Sequence, residues 1–536
     1  MARHFTHFLF AFLIASCAFA QPVITSAAVM NSASFASQGV PGAGIAQGSI
    51  FTIFGSGVGP NTMVQAGPLP LKTSLGGTSV TFTVGGQTVK AYILVALSYQ
   101  VNALLPSTTP TGSGTVTVTY NNQTSAPEPV QIVSATFATY TFNSSGLGQA
   151  IATDLKYQSN SIIRTFHPGD WVILWGTGLG PIHGDDSNKP PVGNLGSPTV
   201  HVGTASVTPY YAGRSADFPG LDQIAFQIPS GVQGCYVPVA VETNGVVSDA
   251  PTIAVSTSGQ TCSDSLLGQD MINKLAAGGT VDFGFIQLFA IILRNQSLPT
   301  GIFVPDFGQA TFSEFTPQTA GLASYGVSSG YCITTNDPDM SPGQLDAGAS
   351  ITLQGQSTAT LPQLSPGWGY YYSLFNAGPQ FFWSDLKYSV SGAGGAKVGA
   401  FSVTDTTSIP SAYFSGITAG QTLPRSSDLT VTWTGGDPTL QNGQVTIAAA
   451  SSGTANGSIS GGFMCTAPVA AKSFTIPKWV LSMLPPTVNS YIGIAPYPLG
   501  YIWIGQFNNP VTFQAPGLDK GILMDEFFNG YPVSYQ

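Results

Sequence analysis

Charged side chains are scarce in this chain of 536 residues: Asp, Glu, Lys and Arg make up only 7% of it, and the formal net charge is −9. Nucleic acids and anionic membranes bind basic patches, and an acidic chain without blocks of like charge offers none. Low charge combined with 43% hydrophobic residues is also unlike a disordered chain, which is rich in charge and poor in core residues. We therefore expect folded domains and no nucleic-acid partner.

Long apolar runs and helical periodicity are nearly absent as well. Beyond the N-terminus no run reaches the roughly 18 apolar residues that a membrane helix needs, and we interpret Phe283 to Leu293 as a core segment. Clear helical spacing occurs only from Ser263 to Ala277, where Ser263 or Asp264 would be the N-cap and Gly278 the end. The sequence predicts one short connecting helix and no transmembrane helix in the mature chain.

The first 20 residues have the features of a secretory signal peptide. An apolar stretch from Phe8 to Ile14 follows a basic start, and Ala18-Phe19-Ala20 forms an A-x-A cleavage site before Gln21. This segment predicts export to the cell surface or beyond. An alternative is the lipobox-like run that ends at Cys17, in which case Cys17 would be lipidated and become the new N-terminus.

Four cysteines remain after removal of that segment: Cys235, Cys262, Cys332 and Cys465. An even number of cysteines in an exported chain predicts two disulfides. Cys235 opens a strand-like run and Cys262 follows the last strand of the same region, so we expect these two to pair. By elimination Cys332 would pair with Cys465, although spacing alone does not fix connectivity. Paired C-x-x-C or Cys/His spacing is missing, so we expect no metal site at the cysteines.

A glycine-terminated apolar run occurs twice, at Gly48 to Pro60 (GSIFTIFGSGVGP) and 121 positions later at Gly169 to Pro181 (GDWVILWGTGLGP). Each run predicts a buried strand that its glycines bend sharply out of a sheet. Its alternating glycines are Gly55, Gly57 and Gly59 in the first copy, and Gly176, Gly178 and Gly180 in the second. Alternating strands follow in both copies at similar offsets, and a strand ending in Pro106 matches one ending in Pro229. The first half of the chain is therefore expected to be two copies of one β domain.

This order of features resembles a known but uncharacterised family. An apolar strand, G-x-G-x-G-P, a strand ending in V-G and a Q-apolar strand closing in proline are similar to the Solibacter-type C-terminal domain of secreted acidobacterial proteins. That family is itself similar to Ig-like IPT/TIG sandwiches. The resemblance covers roughly residues 23–260 and implies Ig-like β-sandwiches. It implies no catalytic residues, because no activity is established for the family.

The fold class predicted for the whole chain is all-β: tandem Ig-like β-sandwiches, a short helical connector and a C-terminal β-rich region. Alternating segments around glycine-rich turns continue beyond the connector, and a boundary near residues 404–411 is one reading, with a single shared sandwich as the alternative. The expected divisions are 1–20 for the signal peptide, 21–145 and 146–260 for the repeats, 261–282 for the connector, 283–404 for a β-rich domain and 405–536 for a C-terminal β-sandwich.

No catalytic constellation stands out. Gly326 to Gly330 matches G-x-S-x-G, but a nucleophile elbow needs a following helix and a later histidine, and the three mature histidines precede Ser328. The glycine clusters lack the helix of a nucleotide-binding loop, so we expect no cofactor. The acidic loops Asp185-Asp186 and Asp337 with Asp339 are possible calcium sites, but Asx turns explain them better. We predict no catalytic residue and no metal.

Aromatic residues give the strongest sign of a binding surface. The candidate ligand-binding aromatics are Trp368, Tyr370, Tyr371, Tyr372, Phe381 and Trp383. Sugar rings stack on exposed aromatic faces, whereas alternation along a strand would bury half of such a cluster in a core. Core packing is the preferred reading. We also interpret Trp171 and Trp175, which share one face of a strand, as core of the second repeat.

The function expected from these features is a secreted or cell-surface multi-domain β protein with a structural or binding role and no catalysis. One alternative is a carbohydrate-binding or adhesive protein that uses the aromatic cluster. Another is an unrecognised extracellular hydrolase. The partners that fit are an extracellular polysaccharide or a cell-envelope protein.

Overall fold

The computed structural model describes residues 21–262, 264–294, 302–303, 306–320, 326–334, 344–355, 357–365, 367, 369–375, 387–406, 412–492 and 495–536. The predicted signal peptide and Cys17 lie outside these residues. The described chain is dominated by β-strands, with two short α-helices, α1 (Gln269–Ala276) and α2 (Lys478–Ser482). No helix in these parts of the chain is long and apolar enough to cross a membrane.

The first repeat consists of two β-sheets that share one core. Its strands are β1 (Val23–Asn31), β2 (Ile45–Ala46), β3 (Ile50–Ser56), β4 (Val64–Gln65), β5 (Thr78–Val84), β6 (Gln87–Lys90), β7 (Tyr92–Ala96), β8 (Gln100–Leu104), β9 (Gly112–Tyr120), β10 (Gln123–Thr124) and β11 (Glu128–Val133). One sheet has the order β1-β3-β8-β7-β4 and the other β2-β11-β9-β5-β6, with β10 beside β9. Alternate residues such as Phe51, Ile53, Phe82 and Val116 are fully buried between the sheets, as period-2 patterning requires.

The second repeat reproduces this strand order. Its strands are β12 (Ala138–Thr139), β13 (Ala152–Thr153), β14 (Trp171–Thr177), β15 (Thr199–Val202), β16 (Ala205–Val207), β17 (Tyr211–Arg214), β18 (Asp222–Gln227), β19 (Gly234–Thr243), β20 (Val246–Val247) and β21 (Thr252–Val255). The order β12-β14-β18-β17 matches β1-β3-β8-β7, and β16-β15-β19 with β20 and β21 beside β19 matches β6-β5-β9 with β10 and β11. The duplication read from the sequence is therefore a duplication of the fold.

The glycine corners end equivalent strands in the two repeats. A Cβ at Gly55 would lie 2.2 Å from the carbonyl oxygen of Val23, and a Cβ at Gly176 would lie 2.2 Å from that of Ala138. Gly178, at φ +108°, adopts a conformation that residues with a β-carbon avoid. These glycines let neighbouring backbones approach where each strand leaves its sheet. Residues 60–63 and 181–184, which follow the corners, form no helix.

The rest of the chain forms a larger sandwich built on one long sheet. Its strands are β22 (Val281–Arg294), β23 (Ile302–Phe303), β24 (Asp306–Phe315), β25 (Cys332–Thr334), β26 (Ser350–Gln354), β27 (Thr358–Pro362), β28 (Tyr370–Phe375), β29 (Lys387–Gly392), β30 (Phe401–Thr406), β31 (Ala412–Ser415), β32 (Thr422–Leu423), β33 (Leu429–Gly435), β34 (Gln444–Ser452), β35 (Ser460–Pro468), β36 (Ser473–Ile476), β37 (Asn489–Ile492), β38 (Ala495–Pro498), β39 (Gly500–Phe507), β40 (Val511–Phe513) and β41 (Lys520–Tyr535).

The long sheet has 11 strands, with the main order β25-β35-β34-β39-β41-β22-β24-β28. Its two longest strands, β22 and β41, pair in parallel, with Phe283 opposite Lys520 and Leu293 opposite Gly530. The stretches 283–404 and 405–536 thus both contribute strands to one sheet. The bounds 283–404 and 405–536 stay predictions as domain limits. The pairing of β22 with β41 is what the alternative, a single shared sandwich, would require.

Two smaller sheets cover the same side of the long sheet, which we name its back face. Strands β27-β26-β29-β30 pack over one half around residues such as Leu288, Leu353 and Phe527. Strands β31-β33-β36 pack over the other half around residues such as Trp433 and Ile504. On the opposite side, which we name the front face, Phe283 and Met524 pack in one cluster with Cys235 and Cys262 of the second repeat.

A shared core and two disulfides connect these parts. Ile272 and Leu275 of α1 pack in one buried cluster with Cys235 and Cys262 of the second repeat and with Phe283 of the long sheet, so the helix is docked. The disulfides are Cys235–Cys262 and Cys332–Cys465, as expected, and the second joins directly opposed residues of β25 and β35.

Two local expectations need correction. Helix α1 begins at Gln269, later than predicted, because the Asp264 carboxylate accepts the backbone N–H groups of Leu266 and Leu267 and holds a turn before Gly268. The reading of Trp171 and Trp175 as core is wrong. Both are only partly buried, since the alternate residues of β14 between and beside them face the core.

Candidate functional site

A cleft of about 1730 Å³ lies between the end of the second repeat and the front face of the long sheet. The front face supplies its floor through side chains from β22, β24, β28, β34, β35, β39 and β41. The disulfide Cys235–Cys262 and the loop residues around Gly148 and Ser256 form the opposing wall. Its volume exceeds the roughly 300–1,000 Å³ of ordinary small-molecule sites, and it is open, which suits an extended ligand better than a small enclosed one.

One row of the floor crosses four strands. Glu526 of β41 lies opposite Phe507 of β39 on one side and opposite Phe289 of β22 on the other, and Phe289 in turn lies opposite Phe307 of β24. The rings of Phe289 and Phe307 stack with centroids 4.5 Å apart, and those of Phe289 and Phe507 meet edge to face at 6.3 Å. The two neighbours of Glu526 therefore bring their rings together beside its carboxyl group.

The next row of the floor carries amides. Met524, Gln287, Gln309 and Tyr372 are consecutive cross-strand partners, and Gln309 Nε2 donates a 2.7 Å hydrogen bond to Gln287 Oε1. Both amide side chains line the cleft. The ring of Tyr372 lies 6.4 Å from that of Phe307, so the aromatic and amide rows touch. The floor combines flat apolar faces with hydrogen-bonding groups.

Glu526 is the unusual member of this floor. It is only 1% exposed, its Oε1 has no hydrogen-bond partner, and burial raises its pKa well above the ordinary value. The Thr446 side chain, on β34, acts in the opposite direction and lowers the pKa of Glu526. None of the described residues that line the cleft is lysine, arginine or histidine. A buried carboxyl group without a charged partner is costly, and a carboxyl group with a strongly shifted pKa in a cleft is a candidate functional residue.

The opposing wall contains mostly satisfied polar groups. Asp264 accepts a 2.8 Å hydrogen bond from the hydroxyl of Tyr236, besides the two backbone N–H groups that hold the turn before α1. Ser328, the serine of the G-x-S-x-G match, accepts the backbone N–H of Tyr236 and lies in a turn that leads into strand β25. The motif is therefore a turn, as predicted, and not a nucleophile elbow.

The predicted aromatic cluster divides between the two sides of the sheet. Tyr372 lines the cleft, and Tyr370 lies on the same face of β28 by alternation. Tyr371 is fully buried on the back face, where its hydroxyl donates to the carbonyl of Gly348, so it is core and not a ligand contact. Trp368, Phe381 and Trp383 lie outside the described residues. The sequence pattern does not single out the cleft phenylalanines of β22, β24 and β39, because each lies in an ordinary strand pattern.

Ser206, His201 and Glu242 form a hydrogen-bonded chain that the sequence pattern does not predict. Ser206 Oγ lies 2.9 Å from His201 Nδ1, and His201 Nε2 lies 3.2 Å from Glu242 Oε2. These groups are those of a hydrolytic triad. The histidine, however, is buried and stacks on Trp479 at 5.4 Å, and burial lowers its pKa. Since neither Ser206 nor His201 lines the cleft, the chain is better explained as a link between the second repeat and α2.

The acidic pair Asp185-Asp186 does not form a cation site. Asp185 accepts hydrogen bonds from Ser187 and Asn188 in a local turn, and these bonds lower its pKa. Asp186 points into the junction between the repeats, where it accepts both the N–H and the hydroxyl of Ser107 at 2.7 Å. Among the described residues no group of three His, Cys, Asp or Glu side chains could hold a metal ion. Asp337 and Asp339 lie outside the described residues.

Several solved structures show a partial and remote likeness to this chain. Domains 5–6 of the S-layer protein SbsC are 15% identical over 44% of this chain and 100% of that one, with a TM-score of 0.17. A longer SbsC structure is 12% identical over 95% of this chain and 54% of that one, with a TM-score of 0.18. The FN1–FN3 domains of chicken CNTN1 are 8% identical over 68% and 96%, with a TM-score of 0.14.

No protein-family model and no curated protein matches the sequence. The TM-scores of these structures are too low for any single likeness to carry an argument. Strand order supplies the classification instead. The chain is an all-β, multi-domain protein in which two tandem Ig-like sandwiches precede a larger β-sandwich.

Proposed function

We propose that this chain is a secreted or cell-surface protein with a structural and binding role and no catalysis. The observation that carries the proposal is the way its units are joined, through buried side chains instead of exposed linkers. Ala240, Val247 and Ala250 of the second repeat belong to the same core cluster as Trp433 of the larger sandwich. A chain of fixed sandwiches suits a load-bearing or ligand-presenting part of a cell envelope.

Export is supported by several independent features. Two disulfides are typical of oxidising compartments outside the cytoplasm. The predicted signal peptide and the resemblance to a domain family of secreted acidobacterial proteins agree with this setting. We propose cleavage before Gln21, with lipidation of Cys17 as the competing form of the mature N-terminus.

Expression of the full chain in a bacterial host, followed by fractionation and mass spectrometry, tests this proposal. We expect the mature chain outside the cytoplasm, beginning at Gln21. Retention of the intact N-terminus in the cytoplasm would contradict export.

The purified protein should also fail to turn over glycoside, ester and peptide substrates. Turnover that Ser206→Ala abolishes would identify a hydrolase and overturn the non-catalytic role.

A second candidate function is glycan binding in the cleft, against the front face of the long sheet. Its support is the contact between the aromatic row and the amide row, because sugars offer apolar ring faces and hydroxyl groups together. Pull-down on insoluble polysaccharides should retain the protein, and Phe307→Ala with Tyr372→Ala should reduce retention. Tyr210→Ala, which removes an aromatic residue that is 79% exposed outside the cleft, is the matched control. Equal losses in the control and the cleft variants would contradict this assignment.

A further inference from the structure

We propose that the cleft recognises a polymer of amino sugars with free amino groups, and that Glu526 receives one of its ammonium groups. This inference rests on the glycan-binding role of the cleft and specifies its ligand. It goes beyond general sugar stacking, because it assigns a charged contact to a residue that sugar stacking does not require.

The first argument is that Oε1 of the buried Glu526 carboxyl group has no hydrogen-bond partner. A carboxyl group this deeply buried is normally paired with a cation or fully hydrogen-bonded, and here Oε1 has neither partner. The described lining of the cleft also contains no basic side chain that could supply the charge. A cation that satisfies Glu526 would therefore come from the ligand.

The rings beside Glu526 are the second argument. Phe289 and Phe507 flank it on the neighbouring strands, and ammonium groups bind favourably against aromatic faces within about 6 Å of the ring centre. A carboxylate between aromatic rings is thus a suitable receptor for a primary ammonium group. An inorganic cation would instead need several oxygen ligands, and the cross-strand partners of Glu526 on β22 and β39 are both phenylalanines.

The surrounding floor favours a sugar polymer over another amine. Gln287 and Gln309, one row away, add amide groups to the cleft lining, and amides can hydrogen-bond to the hydroxyl groups of a sugar ring. Phe307 and Tyr372 offer ring faces along the same line. The open cleft admits a chain, and the net charge of −9 attracts a cationic polymer over a distance.

Binding of the ammonium group should release a proton. Burial raises the pKa of the Glu526 carboxyl well above its ordinary value, whereas an ammonium group beside it would lower that pKa, so binding should favour the ionised carboxylate and pass its proton to solvent. Among the described residues that line the cleft, the other titratable side chains are those of Asp264, Tyr236, Tyr331 and Tyr372. Affinity should therefore rise with pH for as long as the ligand amine remains protonated.

Isothermal titration with two matched ligands tests the inference. The ligands are a short β-1,4-linked glucosamine oligomer and its fully N-acetylated form, which has the same rings and no charge. The full-length protein should prefer the glucosamine oligomer by about tenfold. Glu526→Gln should abolish this preference while it retains affinity for the acetylated oligomer. Tyr210→Ala should behave like the unaltered protein.

The outcomes separate the two proposals. Equal affinity of the unaltered protein for both oligomers would overturn the ammonium contact and leave glycan binding intact. Binding of neither oligomer, nor of any insoluble polysaccharide, would overturn both. If Glu526→Gln does not fold, competition on the unaltered protein decides: tetramethylammonium should displace the glucosamine oligomer and leave the acetylated one bound. Failure of that displacement would contradict the inference.

Discussion

Arg214 and Asp222 form an ion pair that is completely enclosed at the junction of the two repeats, with side chains 1% and 0% exposed. The guanidinium also donates to the carbonyl of Gly48, which opens the first glycine motif, and to that of Gly180 in the second motif. The other carboxylate oxygen of Asp222 accepts the N–H of Leu179 at 2.8 Å. One side chain thus holds the two copies of the motif against each other.

Replacement of Arg214 by Met should destabilise the chain strongly. The substitution leaves Asp222 buried without its cation, which typically costs about 3–5 kcal/mol. Urea denaturation that is followed by tryptophan fluorescence measures the loss. Lys189→Met breaks the exposed pair with Asp217 and should change stability little. Similar effects of the two substitutions would show that the enclosed pair does not hold the repeats together.

The corner glycines of the first repeat should differ in their tolerance of alanine. At Gly55 an added Cβ would lie 2.2 Å from the Val23 carbonyl, so Gly55→Ala must separate β1 from β3 and should cost about 3 kcal/mol or more. Gly57 has φ +64° and open space around it, so Gly57→Ala should cost only about 1–2 kcal/mol of backbone strain. Thermal denaturation of the two variants compares them. A reversed order would contradict the close approach of the strands.

The two disulfides should contribute unequally to stability. Cys332–Cys465 closes a separation of 133 residues and Cys235–Cys262 one of 27, so chain entropy predicts about 5 and about 3.5 kcal/mol. Paired Cys→Ala variants at each bridge, compared in chemical denaturation, measure the difference. A larger loss at the shorter bridge would show that packing around α1 outweighs the loop term.

The free energy of unfolding should decrease as pH rises, because Asp525 and Asp405 form a buried carboxyl pair at the long sheet. Burial and the neighbouring Asp405 raise the pKa of Asp525 from 3.8 to about 8, against a hydrogen bond from the Tyr388 hydroxyl. The folded chain therefore retains a proton that the unfolded chain releases. Its stabilising contribution is complete below the ordinary pKa and is lost as pH rises through about 8.

Asp405→Asn provides the test of this pH dependence. The variant removes the like charge beside Asp525, so its stability should decline less between about pH 5 and about pH 9 than that of the unaltered chain. Asp249 and Glu526 also have raised pKa values and add to the pH dependence of both proteins. The test is therefore the difference between the stability curves of Asp405→Asn and the unaltered chain. Parallel stability curves would contradict the coupling.

The two repeats follow from local signals. Alternation places Phe51 and Ile53 on the core face, and the corners at Gly55 and Gly176 can be read from spacing alone, because backbone conformation and side-chain direction are local properties. The strand order of the two copies then agrees, since similar sequences of strands and turns fold alike. Trp171 and Trp175 mark the limit: alternation shows that they share a face, but not which face is buried.

Local sequence patterns are enough to predict an all-β chain, a duplicated domain with glycine corners, two disulfides and one short helix. The position of the cleft depends on the tertiary fold. Phe289 and Glu526 become neighbours through the parallel pairing of β22 with β41, and no local pattern encodes a register between strands so far apart in the chain. The burial of Glu526 Oε1 without a hydrogen-bond partner likewise depends on side chains from other strands, such as Phe289 and Phe507, and so it exists only in the folded protein.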